Sequence, residues 1–162
     1  MNMNFKDNLL STVSLVAVFI LLASAAHSQS TRAKQFNTRR GNLAIKGYDP
    51  VSYFTQNKAV KGSSKITHTH QGITYRFSSA QNRNLFKQNP AKYEPVYGGW
   101  CAYAMGLKKP SKVDINPRTF KIINGKLYLF YNKLGTNTLK LWNKDESNLK
   151  GKADKNWKKF YN

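Results

Sequence analysis

The stretch Phe120 to Tyr131 (FKIINGKLYLFY) constrains this chain most, because two β-rich runs flank Asn124-Gly125. That pair suits a two-residue turn in which both central residues take positive φ. In this register Phe120 and Ile122 face Leu129 and Leu127, which predicts a hairpin with one apolar face. A second hairpin is expected over Lys65 to Ser78 (KITHTHQGITYRFS), turning at Gln71-Gly72. With a two-residue loop, Ile66, His68 and His70 share a face with Ile73, Tyr75 and Phe77, and Thr67 and Thr69 share the other with Thr74 and Arg76. A bulged three-residue loop would change the cross-strand register but not the alternation within each strand.

The segments between and around these hairpins read as helices and short links. Leu43 to Asp49 is compatible with a first short strand, followed by a helix start with Asp49 as N-cap and Pro50 at its first position. Ser78 and Ser79 offer caps for a helix over Ala80 to Gln88 that turns Leu85 and Phe86 inward, with Pro90 marking its end. Gly98-Gly99 permits backbone torsions closed to other residues, and Trp100 to Met105 reads as one or two helical turns or a buried loop. Beyond Gly135 the spacing becomes helical, through Leu139 and Trp142 and then Leu149, Ala153, Trp157 and Phe160. Together these predict a small single α+β domain with two β-hairpins, several short helices and a helical C-terminal tail.

The N-terminus reads as a secretory signal over residues 1–28. Leu15 to Ala23 is an unbroken apolar run of nine, shorter than the roughly 20 residues of a membrane span. Ala26-His27-Ser28 then supplies a cleavage site before Gln29. The alternative is an uncleaved N-terminal anchor. Residues 29–42 are polar and basic with Phe36 as their one bulky apolar group, and read as a flexible basic leader. The domain is expected over 43–162, exported to the periplasm or secreted.

Charge excludes little by itself. The chain of 162 residues holds 27 Lys and Arg against 7 Asp and Glu, a formal +20. Its basic residues are spread along the chain with no run longer than two, and export removes it from the chromosome, so nucleic acid is not the expected partner. What remains is a highly soluble surface, or adhesion to anionic lipid or polysaccharide. No G-x-S-x-G, H-E-x-x-H or phosphate-cradling glycine loop is present, and the expected role is not enzymatic. A nucleophile pair of Cys101 with His68 or His70 stays open, conditional on proximity.

The candidate chemistry centres on Cys101, the single cysteine, which excludes an internal disulfide and a multi-thiolate zinc site. If Trp100 to Met105 is helical, Cys101 and Met105 share a face, and thiolate with thioether suits Cu(I). His68 and His70, two apart on a strand, point their imidazoles to one side and can share a metal ion. Each of these residues has a plainer reading: the thiol as a small buried hydrophobe, the histidines as half-buried packing groups.

The succession IKGYDPVSYF, AVKGSS, ITYRFSSAQNRNLFKQNPAKYEP, YGGWCAY and INGKLYLFYN resembles the exported YHS-domain proteins, in the longer branch that carries a YGGWCAY-type motif. The resemblance covers Leu43 to about Tyr131. It implies a small α+β domain and a role in metal handling, since related short modules are associated with copper transporters through a pair of cysteines. At the matching stretches this chain reads Asp49-Pro50-Val51 and Phe77-Ser78-Ser79, without thiols, so only Cys101 carries over by motif. The expectation is therefore an exported YHS-like domain that binds copper through Cys101, with His68, His70 or Met105 as helpers. The alternative is a basic adhesion module for anionic lipid or polysaccharide.

Overall fold

The computed structural model describes residues 32–161, so the signal of 1–28 and the first residues of the leader lie outside the described residues. Strands β1 (Thr38–Arg39) and β2 (Leu43–Ala44) precede a short helix α1 (Ser52–Thr55). The hairpin β3 (Ser63–His70) and β4 (Ile73–Phe77) leads into α2 (Ala80–Gln88), α3 (Pro90–Tyr93) and α4 (Ala102–Met105). A second hairpin, β5 (Asn116–Ile123) and β6 (Lys126–Phe130), is followed by a small one, β7 (Asn132–Lys133) and β8 (Thr136–Asn137). Helices α5 (Thr138–Trp142) and α6 (Glu146–Tyr161) close the chain. The α+β class expected from the sequence is the class observed.

Next to their turns both expected hairpins form in their two-residue registers, and each shifts register farther out, between Ser63 and Thr67 and between Asn116 and Phe120. His70 pairs with Ile73 and His68 with Tyr75, while Phe120 pairs with Leu129 and Ile122 with Leu127. β1 and β2 join the first hairpin to give a four-stranded sheet of order β1-β2-β4-β3, in which β2 runs parallel to β4. The strand expected from Leu43 and ending at Gly47 lasts only two residues, because the chain enters a 3-10 turn at Ile45–Gly47.

β6 is a wall between two apolar clusters. Leu127 and Leu129 face the first, with Phe77, Phe86, Tyr53 and Cys101. Tyr128 and Phe130 face the second, with Met105, Trp142, Leu149 and Ala153. The hairpin thus buries both faces rather than one, since α5 and α6 cover its far side. Trp142 is fully buried there, its ring centroid 5.5 Å from that of Phe130; burying such a side chain contributes roughly 1.5–3 kcal/mol.

Asp49 is fully buried and does more than cap a helix. Its Oδ1 accepts from the Val51 N–H, and its Oδ2 accepts from the Ser78 N–H, the Ser78 hydroxyl and the Asn82 amide. Four donors take the place of lost water around the carboxylate. The helix begins at Ser52, later than expected, with Val51 at its N-cap position, and the Asp49 side chain ties the preceding loop to the start of α2.

The expected flexible leader is corrected for residues 32–42, which pack on the domain. Arg32 makes a two-pronged ion pair with Glu94, Phe36 enters the first cluster, and the Asn37 N–H donates to Gly98 O. One bulky apolar residue and well-placed polar partners suffice to dock a segment whose composition is otherwise that of a linker.

Candidate functional site

Cys101 sits where the chain is extended just before α4, with φ −60° and ψ 117°, so it is not the first residue of a helical face. That corrects the expected pairing with Met105: Cys101 belongs to the first cluster and Met105 to the second. The thiol is fully buried. Its Sγ accepts the Tyr131 N–H at 3.3 Å and lies 3.4 Å from the Thr138 hydroxyl. Thr138 in turn donates its N–H and its hydroxyl to Tyr131 O, at 3.0 and 2.8 Å. The sulfur therefore lies beneath the two feet of the β7–β8 hairpin, with hydrogen-bonded partners on both.

His68 and His70 share a face as expected and are half-buried, flanking Phe86 of α2 with ring centroids 6.1 and 6.2 Å from it. Burial first, then the positive charge of Lys87 and Arg83 and the neighbouring His70, lowers the His68 pKa from its ordinary value. The structure does not join these imidazoles to Cys101: among the described residues no group of three or more His, Cys, Asp or Glu side chains is placed to hold a metal ion.

A cleft of ≈ 410 Å³ opens instead between β1, the 114–117 segment and β7. Arg39, Lys46 and Lys133 line it with a single carboxylate, Asp114. Arg39 and Lys46 lie 2.6 and 2.8 Å from Asp114 Oδ2, while the Asn37 amide and the Ile115 N–H donate to Oδ1. Burial acts to raise the Asp114 pKa, but the bonds from Lys46, Asn37 and Ile115 outweigh it and hold it below the ordinary carboxylate value. Lys133 is exposed and has no ion-pair partner among the described residues. On the other side of the same hairpin a second concavity of ≈ 460 Å³ is lined by Gly135, Thr136, Asn137, Lys140, Leu141 and Lys144, without an acidic residue.

Charge alone suggests a basic surface in the sequence; the two concavities beside one hairpin are not legible there, because Lys133 lies far along the chain from Arg39 and Lys46. Compared with protein-family models, curated proteins and solved structures, the chain matches none.

Proposed function

We propose that the chain is an exported YHS-like domain that binds anionic groups displayed on a surface outside the cytoplasm, through the basic cleft of Arg39, Lys46 and Lys133, without catalysing a reaction. The observation that carries this reading is the fate of the carboxylates. Glu94, Asp114, Glu146 and Asp154 are held in ion pairs, Asp49 is consumed in the core, and Asp145 accepts from the Asn148 amide. With the acidic residues of the described chain engaged internally, the excess of +20 is left to be balanced from outside. The cleft focuses part of that field in a concave site, where it acts more strongly than on a convex face.

Both apolar clusters lie within residues 33–160, so a chain starting at Gln29 keeps the whole core and lacks the apolar Leu15–Ala23 run, which would itself seek lipid. This chain is expected to bind vesicles containing an anionic phospholipid and beads carrying a sulfated polysaccharide, and to release both as salt rises. Arg39→Gln with Lys133→Gln should weaken vesicle binding about tenfold or more, from about 1 kcal/mol per basic residue near an anionic surface. Failure to bind either probe at low salt overturns the reading. Tight Cu(I) uptake that Cys101→Ala abolishes would replace it with metal handling by the thiol.

A further inference from the structure

Among the described residues three two-residue hairpin turns share one geometry, with both central residues at positive φ: Gln71-Gly72 (47° and 79°), Asn124-Gly125 (49° and 69°) and Leu134-Gly135 (53° and 78°). Polar residues, asparagine above all, tolerate the first position, whereas a bulky aliphatic side chain there is strained. The first two turns use Gln and Asn. The third uses leucine, and that leucine is 86% exposed, far more than Leu107 at 36%. Backbone strain and an apolar side chain in water are both unfavourable.

The surroundings of this tip say what would cover it. Lys133 precedes it in the first basic cleft, and Gly135, Thr136, Asn137, Lys140 and Lys144 form the second. The hairpin is braced at its base by the bonds of Thr138 to Tyr131 and by the Cys101 sulfur beneath both. A braced finger with an apolar tip and a positive concavity on each side complements an interface whose headgroups are anionic and whose next layer is hydrocarbon. A purely polar polyanion would offer Leu134 nothing. Among the described residues no helix is long and apolar enough to cross a membrane.

We infer that the β7–β8 hairpin is a membrane-docking finger: Leu134 enters the headgroup–acyl boundary of an anionic lipid bilayer while Lys133, Lys140 and Lys144 contact its phosphates. This deepens the reading above, on which it rests, by naming the lipid bilayer as the surface.

The test uses the chain from Gln29 with three probes: vesicles of phosphatidylcholine with phosphatidylglycerol, vesicles of phosphatidylcholine alone, and sulfated-polysaccharide beads. Leu134→Asn keeps a residue that accepts the turn geometry. It should lose about tenfold in affinity for the anionic vesicles, from partial loss of leucine burial, with bead binding unchanged. In a second variant, Leu134→Trp, tryptophan emission should gain a blue-shifted component on anionic vesicles and not on beads. Equal vesicle affinity of Leu134→Asn and the parent, or no emission change in Leu134→Trp, overturns the finger while leaving anionic-surface binding in place. A parent chain that binds neither the anionic vesicles nor the beads overturns the underlying reading and the finger with it.

Discussion

Replacing Cys101 by alanine removes the acceptor of the Tyr131 N–H and leaves that part-buried donor beside an unfilled volume. A loss of about 1–3 kcal/mol in unfolding free energy is expected, measured in urea, with a smaller loss for Cys101→Ser because the hydroxyl can still accept. An unchanged urea midpoint in Cys101→Ala would show that the sulfur does not support the hairpin base. His68 makes a separate statement about pH. Its folded-state pKa lies below the ordinary value of 6.5, so the folded state binds its proton less readily than the unfolded one. Stability should therefore fall as pH drops from about 6.5 toward the lowered pKa, and His68→Gln should flatten that part of a pH–stability curve. Asp114 has the opposite form, its contribution being present above the ordinary carboxylate range and lost as pH falls through its depressed pKa.

The close approach of α4 and α6 turns on one missing side chain. A Cβ at Gly106 would stand 2.6 Å from Leu149 O, a backbone atom that cannot swing aside. The Asn156 amide secures the same contact by donating to Met105 O and Leu107 O. Gly106→Ala should destabilise by about 1–3 kcal/mol through forced separation of the two helices, read from the urea midpoint. At this scale much was legible in advance. Asn124-Gly125 and Gln71-Gly72 mark their turns because local torsions decide them, and the apolar spacing of Leu149, Ala153, Trp157 and Phe160 marks α6. The small β7–β8 hairpin has no such local mark, since Leu134-Gly135 carries the turn geometry without the usual polar residue. The packing of residues 32–42 has none either, because it depends on Glu94 and Gly98 about sixty positions away.

Over the whole molecule, self-repulsion of the net +20 charge opposes compaction, and among the described residues ion pairs engage Arg32, Arg39, Lys46, Lys121 and Lys150. Raising sodium chloride from about 10 to 150 mM should therefore raise Tm by about 2–4 °C, in line with relief of about 1 kcal/mol in a chain of this size. A Tm that falls over that range would mean that attractive ion pairs such as Arg32–Glu94 dominate the surface. The amino-acid order by itself determined the α+β class, the two long hairpins with their registers next to the turns, the C-terminal helical stripe and the excess of positive charge, because periodicity, turn torsions and composition are local or additive properties. Only the tertiary structure decided that Cys101 and Met105 lie in different clusters, that both faces of β6 are buried, and that Lys133, next to the exposed Leu134, lines one cleft with Arg39, Lys46 and Asp114. Those are contacts between distant residues, set by how the elements pack against one another, and no local pattern encodes them.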